Sequence, residues 1–228
     1  VMVRLSPETH GELGWRKARS FGFARKLGSA PIAFEEITRV AQYIPVLFRK
    51  AEQVWQAVAV MGPVPGSNLQ VTSDGIWRDP YVPGALRAYP FRMTGDGSGL
   101  ELWSDYEPEP LSGPGMEPFY LNGQLTPLLS KTLEFLRALE NGIRKLHAPL
   151  CWLEGHQVLR PWSVPGLAET ADQQRHDGLF RIDRQALQDL DEEALIELGK
   201  IGDVPSLLSC FHTHLDSLPH AERFRDRA

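Results

Sequence analysis

The seven histidines and two cysteines of this 228-residue sequence are its most versatile metal ligands and nucleophiles, and two groups of them lie close along the chain. His212 and His214 would share an ion on a strand, where alternate residues face one side. The surrounding pattern is helical instead, with Leu207, Leu208, Phe211, Leu215 and Leu218 forming one apolar arc. At about 100° per residue the two imidazoles point about 200° apart, so His214 reads as a boundary histidine bonded to a neighbouring element. His147, Cys151 and His156 match no zinc module and lack a fourth ligand. No metal and no cofactor is therefore expected. No nucleophile elbow, phosphate loop or dinucleotide fingerprint is present. The remaining catalytic option is acid–base chemistry, with Asp183 and His214 as a general acid/base pair and Arg87 orienting an anionic group. Such a site would suit a hydrolase-like enzyme acting on a peptide or a saccharide.

A different chemistry is written between Gly75 and Phe91. There Trp77, Tyr81, Tyr89 and Phe91 alternate with Arg78 and Arg87, and Arg92 follows. Aromatic faces and forked guanidinium groups suit planar contacts with a protein, a peptide or a saccharide. Trp77, Tyr81, Arg87 and Tyr89 are the candidate ligand-binding residues, while Phe91 and the ring of Tyr89 also have the character of core. The expectation favoured by these residues is a non-catalytic accessory or binding protein with a recognition cleft on this segment, joined by His214 and Asp183. The enzyme reading stays open beside it, as does a structural part in a cell-surface assembly.

The elements that must position these groups are short at first and long later. Tyr43 to Phe48, Val54 to Met61, Leu69 to Thr72, Ala88 to Met93 and Leu100 to Trp103 are brief runs rich in β-branched and aromatic residues, which read as strands. Several barely alternate, the pattern of strands covered on both faces. Ala33, Ile37, Val40 and Ala41 fall at helical spacing and place one short helix over Pro31 to Gln42. From Thr126 the period changes: Thr126 is an N-cap, Pro127 has the φ of the first helical position, and Leu129, Leu133, Leu136, Leu139, Ile143 and Leu146 recur at three and four until Pro149 stops the helix. Further helices are expected from Asp183 through Ile201, with Asp191 as a second cap, and from Asp203 to Pro219. Leu153 to Gly178 reads as irregular, with Glu169 to Asp177 a mobile surface loop. The fold class is α+β, with a short, mostly antiparallel or mixed sheet packed against C-terminal helices. One domain over residues 1–228 is expected, strand-rich over 31–122 and helix-rich over 126–218.

Composition narrows the partners. With 24 basic against 29 acidic residues the net charge is −5, which argues against nucleic acid. No run of ~18 apolar residues is available to span a membrane, and the first twenty residues hold no secretory core. A cytoplasmic location with free thiols follows as the expectation, a trimmed leader before Val1 being the alternative. Oligomeric state is left open by the sequence.

Across most of its length the chain resembles the SapC family of bacterial proteins. The likeness rests on His10 with Phe21-Gly-Phe-Ala24, on Pro31 with Glu35 or Glu36, on Tyr43-Ile-Pro-Val-Leu-Phe48 and on Gly66-Ser-Asn-Leu69. It continues through Trp77, Tyr81-Val-Pro83, Arg87 and Tyr89-Pro-Phe91 to Leu153–Trp162, Phe180-Arg-Ile-Asp183, Leu187, Leu190 and His214-Leu-Asp-Ser-Leu218. Ala88 stands where the family commonly has a second arginine, Arg184 where it has an acid and His212 where it has an aromatic residue. The family is named for association with bacterial surface-layer proteins, so the resemblance implies a link to cell-surface or surface-layer protein biogenesis without implying a reaction.

Overall fold

Val46–Ala51 and Val54–Val60 form a hairpin closed by two residues, Glu52 and Gln53, both with positive φ (47° and 67°). That backbone matches the right-handed twist of the flanking strands. Ala57, Val58, Ala59 and Val60 are successive and all fully buried, so this ribbon is covered on both faces, as its lack of polar alternation predicts. It is the centre of an antiparallel five-stranded sheet in the order Leu159–Pro161, Leu179–Ile182, Val46–Ala51, Val54–Val60, Ser29–Ile32. The computed structural model that shows this describes residues 3–62, 66–113, 115–162 and 178–201. Cys210, His212, His214, the helix expected over 203–219 and the loop expected over 169–177 lie outside the described residues.

These residues fall into two compact units. One contains the chain up to Arg19 together with Ala85–Glu140, the other Ser20–Gly84 together with the chain from Asn141. The protein is α+β, with small antiparallel sheets drawn largely from the N-terminal half and helices from the C-terminal half.

In the first unit, Phe91–Met93 and Val3–Arg4 flank Leu100–Leu102, while Glu109–Pro110 and Glu117–Pro118 flank Leu13–Trp15. Trp15, Phe91 and Phe119 pack edge to face, at 4.7 Å and 6.3 Å between centroids. This geometry sets the positive edge of one ring against the negative face of the next. A turn over Gly95–Gly99 joins Phe91–Met93 to Leu100–Leu102, and Asp96 fastens it by accepting from the Thr94 hydroxyl (2.6 Å) and from the Ser98 amide (3.0 Å) and hydroxyl (2.8 Å). These bonds, led by that of Thr94 and assisted by Arg4, hold its carboxyl well below the ordinary aspartate range.

The helix Pro127–Arg144 begins as its sequence predicts, Thr126 Oγ1 accepting from the Leu129 amide. Pro149 does not stop the chain's helical course. A second helix, His147–Gly155, has Pro149 within its first turn, where a missing N–H costs nothing. Three further expectations are corrected. Pro31 lies in the edge strand Ser29–Ile32, not in a helix, and only Phe34–Glu36 and Ile37–Val40 form helical turns, with Ile37 and Val40 fully buried. An edge position tolerates proline because half of its ladder is unused. Leu69–Thr72 forms no strand beyond a bridge between Val71 and Trp77. The segment from Leu153, read as irregular, instead supplies the strand Leu159–Pro161, and Leu179–Ile182 pairs with it.

In the second unit, Gly142 permits a close approach of the helix to residues 33–35. A Cβ there would overlap the Glu35 carboxylate, which is ion-paired with Lys145, and would lie 2.7 Å from Ala33 Cβ. At Gly199, in the helix Glu192–Ile201, a Cβ would meet nothing within 4 Å. Gly142→Ala is expected to destabilise by about 1–3 kcal/mol through overpacking, whereas Gly199→Ala should stabilise by about 0.5–1 kcal/mol through helix propensity. Urea unfolding of both variants checks the opposite signs; equal effects would refute the close approach.

Candidate functional site

Trp77 and Tyr81 belong to the second unit, and their polar atoms are used internally. The Trp77 indole is 8% exposed, packs edge to face on Phe21 at 5.5 Å and donates Nε1–H to the Tyr81 carbonyl at 2.9 Å. The Tyr81 hydroxyl in turn donates to Glu36 Oε1 at 2.7 Å. The same oxygen accepts from the Gly84 amide at 2.7 Å, and Oε2 accepts from the Ala33 amide at 3.1 Å. Glu36 is only 6% exposed. A buried carboxylate is tolerable only when its lone pairs are met by donors, and here three are supplied from two stretches of backbone and one phenol. Trp77 and Tyr81 are thus parts of a clamp that fixes the loop leading to Arg87.

Arg87 and Tyr89 belong to the first unit and meet partners the sequence reading did not name. The exposed Arg87 guanidinium lies over Phe135, with Cζ 5.3 Å from the ring centroid. Tyr89 is half-buried, with its ring 5.5 Å from Trp103 and 6.0 Å from Tyr106, at interplanar angles of 68° and 84°. Arg92 Cζ is 5.7 Å from the Trp103 ring centroid. The strand pair Phe91–Met93 and Leu100–Leu102 explains the meeting: just beyond its end the Trp103 amide donates to the Pro90 carbonyl at 2.9 Å, and the Tyr106 amide then donates to Trp103 O at 3.0 Å. Tyr106 is held by the Arg16 amide, which donates to its hydroxyl at 2.9 Å. Phe91, by contrast, points into the core and is 2% exposed. Burial pushes the Tyr89 phenol up to about 12, with Asp105 and Tyr106 adding to the effect.

Asp183 caps the helix Arg184–Gln188, its Oδ1 accepting from the amides of Gln185 (2.9 Å) and Ala186 (3.3 Å), while Arg160 Nε donates to Oδ2 at 3.2 Å. The Ala186 bond, then Arg160, holds its carboxyl below the usual range. His214, the other member of the acid/base pair, lies outside the described residues. His147 and Cys151 do come together: His147 Nδ1 accepts from the Trp55 amide at 3.1 Å, and Cys151 Sγ lies 3.6 Å from both ring nitrogens. His156 stacks on Trp152 at 3.6 Å instead of joining them. Among the described residues no three His, Cys, Asp or Glu side chains are placed to hold a metal ion, and no helix is long and apolar enough to cross a membrane.

The fold and this geometry define an α+β protein carrying a half-exposed cluster of rings, Tyr89, Trp103 and Tyr106, with the Arg92 guanidinium over one of them. The SapC family model matches residues 5–224, and the chain belongs to the SapC family. No curated protein and no solved structure matches it.

Removing the Glu36 carboxylate leaves three donors without their acceptor, so Glu36→Ala is expected to cost ~3 kcal/mol. That is a fall in Tm on the order of 6–12 °C for a chain of this size. Glu36→Gln should cost less, and Tyr81→Phe less again. A Glu36→Ala protein that melts with the wild type would refute the clamp. A second expectation concerns Tyr89: NMR titration of its ring should place ionisation near 12. Asp105→Asn should lower that midpoint yet leave it above ~10, the free value, because burial is the larger cause.

Proposed function

We propose that this SapC-family chain is a non-catalytic accessory or binding protein whose docking surface is the ring cluster of Tyr89, Trp103 and Tyr106 with Arg92 over Trp103, together with Arg87, two residues before Tyr89. The observation that carries this reading is the contrast between neighbours: Phe91 is sealed in the core, while Tyr89, two residues earlier, stays half-exposed among two further half-exposed rings with a cation over one of them. Aromatic and arginine side chains held rigid by packing lose little entropy on binding, which is why they dominate recognition surfaces. A protein, a peptide or a saccharide suits such a surface, each presenting flat or apolar faces beside hydrogen-bonding groups. The negative net charge speaks against nucleic acid. The family's name directs the search toward proteins of the bacterial surface layer and its biogenesis.

Purified surface-layer protein and cell-wall oligosaccharide are the probes, titrated against the chain while tryptophan fluorescence or calorimetric heat is recorded. Trp103→Ala and Arg87→Ala are each expected to weaken the complex by at least tenfold, about 1.4 kcal/mol, without changing Tm by more than a few degrees. Complexes that form as tightly with both variants as with the wild type would count decisively against this surface.

A further inference from the structure

Tyr89 is the ring that the docking cluster shares, and both of its neighbours stand steeply to it, Trp103 at 68° and Tyr106 at 84°, with centroids 5.5 Å and 6.0 Å away. Edge-to-face packing of this kind leaves corners between the rings and no flat platform. A pyranose lays one flat face on a single open ring, whereas a ridge fits a corner. The polyproline II helix is such a ridge: it turns about every three residues, makes no internal hydrogen bonds and keeps its carbonyl oxygens outward. Tyr106 is placed to serve one of those oxygens, because its hydroxyl accepts from the Arg16 amide at 2.9 Å and keeps its own proton to donate. The charges around the rings set a second condition. Arg92 lies against Trp103, with Cζ 5.7 Å from the ring centroid, and Arg16 pairs with Glu109 at 3.1 Å. Asp105 and Glu107, on either side of Tyr106 in the chain, are both exposed, and the charge of Asp105 is felt at the Tyr89 phenol.

We infer that the occupant of this surface is a proline-rich peptide in the polyproline II conformation, with a basic residue beside its run of prolines; the inference rests on the docking surface proposed above. Prolines seat in the corners beside Tyr89, a peptide carbonyl accepts from the Tyr106 hydroxyl, and the basic side chain faces Asp105 and Glu107. The peptide holds this conformation before it binds, so little order is lost when it docks on rings already fixed by packing.

The test titrates the full chain at low ionic strength, followed by tryptophan fluorescence and amide NMR shifts, with an acetylated and amidated run of prolines that has an arginine at each end. Two control peptides carry a glutamate at each end, or alternating glycine and serine in place of the prolines. The arginine-flanked proline peptide is expected to bind in a saturable way, and each control to bind about tenfold more weakly or not at all. Trp103→Ala should weaken the arginine-flanked peptide by about tenfold. Asp105→Asn, an exposed change that leaves Tm where it is, should weaken it by roughly threefold and narrow its lead over the glutamate-flanked peptide. No binding of the arginine-flanked proline peptide, equal binding of the glycine and serine control, or an Asp105→Asn protein that keeps the full preference for arginine overturns the inference. Surface-layer protein or cell-wall oligosaccharide that binds the wild type and is lost in Trp103→Ala, while the proline peptide does not bind, keeps the docking surface and overturns its occupant alone. Proline-peptide binding that Trp103→Ala leaves unchanged overturns both.

Discussion

A carboxylate removed from water has to be surrounded by donors, and Glu36 shows how much structure that demand organises. Its two oxygens draw in the amide of Ala33, three residues earlier, and the hydroxyl of Tyr81 and amide of Gly84, 45 and 48 residues later. The loop between Trp77 and Gly84 has no ladder of its own to fix it. It is fixed by this carboxylate at one end, and at the other by the Val71–Trp77 bridge and the Trp77 indole bond to Tyr81 O. Each donor would be costly to bury alone, and so would the acid; together they satisfy one another, which makes their arrangement cooperative.

The same logic holds where the helix His147–Gly155 meets the five-stranded sheet. Trp55 is 1% exposed, and its indole N–H has to find an acceptor; Glu154 provides it at 2.9 Å while also pairing with Lys50. About two turns earlier on the same helix, His147 accepts the Trp55 amide. A backbone amide can only donate, so Nδ1 keeps its lone pair and the neutral ring carries its proton on Nε2. Those bonds set the helix His147–Gly155 in register over the hairpin. They also hold Glu154 ionised below its usual range, through Trp55 first and Lys50 second.

Legibility in the sequence followed the length of the signal. Thr126, Pro127 and five leucine or isoleucine positions at helical spacing specify the long helix unambiguously, and Asp183 and Asp191 cap helices where an acidic residue before an apolar period predicts it. Leu159–Pro161 and Leu179–Ile182 were not legible, since three or four residues define no period, and the first pairs only with the second, whose other partner lies more than a hundred positions earlier. Pro149 misled for a related reason: proline ends one helix and begins another with the same chemistry, and only the turn at Leu146 decides which. At the candidate site, Arg87 and Tyr89 stood out by composition. Trp103 and Tyr106 did not, because an antiparallel strand pair and the amide bond to Pro90 O bring them to Tyr89, and neither is written in local spacing.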